Sequence, residues 1–119
     1  MPFIMSKVNI PISNEQEIML KSRLGKAIEL LPGLSEDYLM AGFEENHHIY
    51  LREENQPAAY IKVSVFGNEI HRGYDKLTLA ITEIFNDILN INPQNIYAQY
   101  DDIKVWGVNG MNFDRNMYS

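Results

Sequence analysis

The chain has no cysteine, which excludes a disulfide scaffold, a thiol nucleophile, a CxxC redox pair and a thiolate zinc site. Cationic side chains are scarce: 10 Lys and Arg stand against 16 Asp and Glu in 119 residues, a formal charge of −6. Nucleic acid and anionic membranes are held by clustered Lys and Arg, so neither is an expected partner. Long apolar runs are missing as well, and nothing approaches the roughly 18 residues of a membrane span. The opening stretch 1–13 alternates in polarity and is broken by Pro2 and Pro11, unlike a secretory leader. The cytoplasm is therefore the expected location. Gly67-Asn68 lacks the spaced glycines that cradle a phosphate, so no nucleotide site is expected. What remains, 45% apolar and 22% charged residues, suits a single folded domain over 1–119.

Within that domain the sequence repeats. Residues 3–10, rich in Ile and Val, read as a strand that Pro11 ends. Ser13 and Gln16 then form an S-x-x-Q capping box, and Leu20, Leu24, Ala27, Ile28 and Leu31 follow at helical spacing up to Pro32-Gly33. A second strand is expected over 38–43, a turn at 44–46 and a short strand at 48–51. After the polar loop 52–57 the pattern restarts, with a strand over 58–66, a loop over 67–73, a helix marked by Tyr74, Leu77, Ile81, Ile84, Phe85 and Ile88, and a strand over 96–100. Ile4 and Ile61, Val8 and Val65, Leu20 and Leu77, Leu39 and Ile96, Ala41 and Ala98 all differ by 57. The chain therefore reads as an α+β domain of two tandem β-α-β units, 2–45 and 59–102, giving a four-stranded mixed sheet with both helices on one face.

Two helices cover one sheet face and leave the other bare. That face would carry Phe3, Met5, Tyr60, Phe66 and Tyr97 among Lys7, Lys62, Ser64 and Gln99, an aromatic surface that calls for a partner. Closed symmetry favours further copies of the same chain, so a homo-oligomer is expected. In the tail, Val108-Asn109-Gly110-Met111 is a turn signal between short extended pieces that would protect an open edge.

Pro2 is the sharpest chemical candidate. Removal of Met1 would leave a secondary amine, and burial lowers the pKa of such a cation, making it a usable general base near neutral pH. Other candidates read as structure. His47 and His48 are adjacent and would point to opposite faces of a strand, Glu44 and Glu45 belong to a solvated turn, and Asp101-Asp102 reads as an exposed strand cap, so no metal site is expected.

Strand-initial Pro2-Phe3-Ile4, the string Pro57-Ala-Ala-Tyr-Ile-Lys-Val-Ser-Val-Phe-Gly67, Asn92-Pro-Gln-Asn-Ile-Tyr97 and Trp106-Gly-Val-Asn-Gly-Met-Asn-Phe113 resemble the macrophage migration inhibitory factor family of the tautomerase superfamily. The resemblance runs from Pro2 to Phe113. It implies a homotrimeric barrel with helices outside, sites between subunits, and keto–enol tautomerisation of phenylpyruvate-like α-keto acids without a cofactor. It assigns Pro2 as general base and acid, Phe66 as a backbone N–H donor, Tyr97 and Gln99 as contributions from a neighbouring subunit, and Phe113 as pocket wall. Two positions depart from the family. Gln99 stands where an asparagine is usual, and Leu34 stands where a lysine holds the substrate carboxylate. Lys62 is the expected substitute cation, with Lys7, Arg72 and Lys104 as further candidates. The alternative implied by Leu34 is a non-catalytic binding or signalling module on the same trimer.

Overall fold

The computed structural model describes residues 1–52 and 55–117. The elements are β1 (Pro2–Val8), α1 (Asn14–Ala27), β2 (Met40–Glu44), β3 (Ala59–Phe66), α2 (Tyr74–Leu89), β4 (Ile96–Ile103), β5 (Val105–Val108) and β6 (Met111–Asp114). The first four strands form one sheet in the order β2-β1-β3-β4. β1 and β2 are parallel, β3 and β4 are parallel, and the two central strands are antiparallel. This is the expected α+β sheet.

The register carries the repeat of the sequence. Phe3 pairs with Met40 as Tyr60 pairs with Tyr97, Met5 with Gly42 as Lys62 with Gln99, and Lys7 with Glu44 as Ser64 with Asp101. The central ladder maps onto itself under the same shift: Pro2 faces Val65, Val8 faces Ala59, and Met5 faces Lys62 at the midpoint. The sheet thus has an approximate twofold axis through the Met5–Lys62 pair.

Alternation along the strands decides the two faces. Ile4 and Val8 of β1 and Ile61, Val63 and Val65 of β3 are buried together with Leu20 and Leu24 of α1 and Leu77, Ile81 and Phe85 of α2. The capping box of α1 forms as expected: Gln16 N–H donates to Ser13 Oγ at 3.1 Å, and Ser13 N–H donates to Gln16 Oε1 at 2.9 Å. α2 starts from Gly73 at φ +84°, and a Cβ there would lie 2.5 Å from the Leu30 carbonyl oxygen, so the close approach of the two connections at this end requires glycine. The opposite face bears Phe3, Met5, Tyr60 and Phe66, half-buried, and Tyr97 and Met40, exposed.

Several boundaries differ from the sequence reading. Residues 36–38 form a 3-10 turn, so β2 starts at Met40 instead of 38. β1 ends at Val8, short of residue 10, and β4 runs three residues further than expected, to Ile103, placing Asp101 and Asp102 inside the strand. Residues 47–50 form no strand, and Leu51 makes only an isolated bridge. His47 N–H donates to the Val8 carbonyl, and Asn9 Nδ2 donates to the carbonyls of Ile49 and Gln56, so side-chain and turn bonds take the place of a ladder. The turn signal in the tail is a β5–β6 hairpin that makes its own two-stranded sheet. Among the described residues no helix is long and apolar enough to cross a membrane.

Candidate functional site

One end of the sheet gathers the start of β1 and β2 with the finish of β3 and β4, because of the strand directions. Pro2 sits there, buried, opposite Val65, which in turn is aligned with Asp102 of β4. Burial of the terminal amine of Met1, beside Pro2, lowers its pKa from the ordinary 8.0, because desolvation penalises the cation. One residue beyond the Pro2–Val65 rung, Phe66 points to the opposite face. Its ring meets that of Phe113 of β6 at 6.4 Å between centroids, tilted by 59°. Pro2, Phe66 and Phe113 thus share one end of one chain.

The same end holds a charge cluster. Arg115 Nη2 lies 2.5 Å from Asp102 Oδ1, and its Nε lies 2.7 Å from Glu69 Oε1. Asp102 is therefore a partnered carboxylate on the row of Pro2, not the exposed cap that the sequence suggested. Arg115 follows β6 without a local pattern, and only the fold of the tail brings it here. Nearby, Tyr74 stacks between His71 (5.0 Å) and Tyr100 (4.3 Å), and Tyr100 O–H donates to the Tyr74 carbonyl at 3.0 Å. The Tyr74 hydroxyl is buried, without a hydrogen-bond partner among the described residues. Burial first, then the negative charge of Asp102, raises its pKa above 10.0.

Leu34 follows Gly33, which turns the chain at φ +73°, and its side chain packs on the core. An apolar residue at this turn extends the core instead of offering a cation. Of the four substitute cations, two are already engaged: Lys62 Nζ lies 3.1 Å from Asp101 Oδ2, and Lys7 Nζ 3.9 Å from Glu44 Oε2. Arg72 is exposed, and the loop that carries it borders, with Pro32, a cavity of about 330 Å³. Asn68 clamps that loop, donating to the Arg72 carbonyl at 2.8 Å and accepting from the Arg72 N–H at 3.2 Å.

Tyr97 and Gln99 stand elsewhere. Tyr97 is opposite Tyr60 near the start of β4, five residues from Asp102, so about 16 Å of strand separates it from the row of Pro2. No single chain brings the two together. Tyr97 borders a cavity of about 150 Å³ with Tyr50 and Tyr60. His47 Nε2 contacts Glu44 Oε2 at 2.8 Å, and among the described residues no group of three or more His, Cys, Asp or Glu side chains is placed to hold a metal ion.

Comparison of this geometry with solved structures is decisive for the fold. MIF2 of Leishmania major superposes with a TM-score of 0.88 at 26% identity, over 95% of this chain and 97% of that one. The chain has the fold of macrophage migration inhibitory factor. The Toxoplasma gondii factor gives a TM-score of 0.85 at 19% identity, covering 93% of this chain and 99% of its own. Pt0534, solved after inactivation by 2-oxo-3-pentynoate, gives 0.80 at 15%, covering 91% and 93%. No family model matches the sequence, and no curated protein matches it. In this migration inhibitory factor fold the buried strand-initial proline, the aromatic pair Phe66–Phe113 and the distant Tyr97 take the places described above.

Proposed function

We propose that this chain is a keto–enol tautomerase for phenylpyruvate-like α-keto acids, working as a homotrimer through the nitrogen of Pro2. The observation that carries the reading is the setting of Pro2: a strand-initial proline, buried, at the sheet end that also holds the Phe66–Phe113 ring pair, next to a Met1 amine whose basicity burial depresses. Freed of Met1, its nitrogen is a secondary amine whose basicity burial lowers, fixed in direction by the β1–β3 ladder. It takes a proton from the carbon next to the keto group, leaving an enolate, and the protonated proline then gives that proton to the enolate oxygen to form the enol. The carbonyl acidifies that proton itself, so the reaction needs no cofactor and no metal. The Phe66 N–H donates to the substrate as the negative charge of the enolate develops. Tyr97 and Gln99, too far along their own strand, come from a neighbouring copy. Inactivation of Pt0534 by 2-oxo-3-pentynoate, itself a 2-oxo acid, supports this substrate class.

Leu34 favours a second reading, a binding or signalling module that keeps the assembly without the chemistry. The missing cation weakens the hold on a carboxylate, and Lys62 is tied to Asp101. Intact mass of the natively expressed protein followed by a phenylpyruvate assay separates the two. Enzyme lacking Met1 should be active, with a rate that rises with pH through a midpoint below about 8 as the amine loses its proton. Pro2→Gly should lower kcat by about a hundredfold, within the usual range of a general base. Processed protein without activity on phenylpyruvate or hydroxyphenylpyruvate leaves the binding module.

A further inference from the structure

Gln99 is exposed on β4, where a flexible amide arm ordinarily spreads over several rotamers. Here the arm is held. The Tyr60 hydroxyl donates to Gln99 Oε1 at 2.5 Å. The contact is diagonal, because Tyr60 is paired with Tyr97 and reaches along the face to residue 99. Lys62, paired with Gln99, leans the same way to Asp101. Two anchored side chains therefore point in parallel across the bare face of the sheet.

A phenol bonded to the amide oxygen decides which end of the amide is left over. Oε1 is occupied, and the Nε2–H groups are without a partner among the described residues. We propose that Tyr60 is a positioning residue that holds Gln99 with its N–H donors toward the substrate. The inference rests on the tautomerase reading, in which that amide polarises the keto oxygen of an α-keto acid bound at a neighbour's Pro2. The opposite amide orientation would set Oε1 lone pairs against the lone pairs of the keto or enolate oxygen, a repulsion that grows as negative charge develops. A phenol is a better donor than acceptor, so the Tyr60 hydroxyl favours the orientation that leaves the Nε2–H groups for the substrate over the one in which they would donate to its own oxygen. It also removes rotamer freedom that a long arm would otherwise lose on binding. Tyr60 itself need not touch the substrate.

A double-mutant cycle tests this on the full-length protein with phenylpyruvate. Tyr60→Phe keeps the ring and removes the hydroxyl, and kcat/KM should fall about five- to tenfold, chiefly in kcat. Gln99→Ala should cost at least as much. In the Gln99→Ala background, Tyr60→Phe should have no further effect, since its role runs through the amide. Independent losses that multiply in the double variant, or a Tyr60→Phe enzyme as active as the wild type, overturn the proposal. A readout independent of turnover is the Gln99 side-chain NH2 resonance pair in ¹⁵N-labelled protein. It should shift toward free-amide positions in Tyr60→Phe, and an unchanged pair overturns the tether. Failure of the underlying reading looks different: the tether is seen by NMR, yet Gln99→Ala keeps full activity or the wild type turns over no phenylpyruvate. That outcome removes the catalytic role of Tyr60 together with the tautomerase assignment.

Discussion

Ser6 is fully buried in β1, and its hydroxyl finds no hydrogen-bond partner among the described residues, while its counterpart 57 residues on is Val63. A buried hydroxyl left unsatisfied costs roughly 1–3 kcal/mol. Ser6→Ala should therefore raise stability by about 1 kcal/mol, read as a higher urea midpoint at unchanged slope. At Leu34 the balance is reversed, since the side chain serves the core and withholds a charge. Leu34→Lys should lower KM for phenylpyruvate by about tenfold, the scale of one charge-assisted hydrogen bond, while losing some stability from the packing that it gives up. At this scale the sequence was legible where a residue acts through its own chemistry. Pro2, Phe66 and Phe113, each named from its own residue type and motif, lie at one end of the sheet. Arg115 was not foreseen, because its meeting with Asp102 and Glu69 depends on how the tail folds back and has no local signal.

Among the elements, helices were the most readable, because a capping box and apolar spacing act within a few residues. Strand limits were less so. The segment 47–50 has strand-like composition, yet Asn9 competes for its backbone and wins. The end of β4 is set by pairing with β3 up to Phe66 and Ile103, a fact about the neighbour strand. The first turns of α2 form a unit of their own with β4 through the His71–Tyr74–Tyr100 stack. Tyr74 and Tyr100 both have raised pKa values, Tyr100 through burial, partly offset by its hydrogen bond to Thr78. The folded protein thus keeps protons that the unfolded chain releases near pH 10. Their contribution is whole below pH 10 and is lost as pH rises through the folded values. Tyr74→Phe should make the alkaline fall of stability shallower, as followed by thermal unfolding between pH 9 and about 11.5.

For the whole molecule, the bare sheet face is the dominant fact. Its aromatic and Met side chains lie opposite a face fully used by the helices, and the proposed site is split between the two ends of the sheet. Sedimentation equilibrium should give three times the chain mass of 13.8 kDa. Tyr97→Ala and Pro2→Gly proteins, each impaired alone, should regain activity when unfolded and refolded together, because mixed assemblies contain sites with both residues intact. The duplication was legible as a constant spacing. The distance along the sheet between Pro2 and Tyr97 needed the strand directions.

The twofold axis through Met5 and Lys62 carries Pro2 onto Ala59, and Val65 onto Val8. The two ends of the sheet are thus near copies in backbone geometry, and either would shelter a nitrogen at the first rung equally well. In the proposed tautomerase only the first of these nitrogens is released, when Met1 is removed. The nitrogen of Ala59 stays a peptide amide, with its lone pair delocalised into the carbonyl of Ala58. A molecule built twice from the same plan can therefore be reactive once, and what breaks its symmetry is peptide-bond resonance at one rung of the ladder.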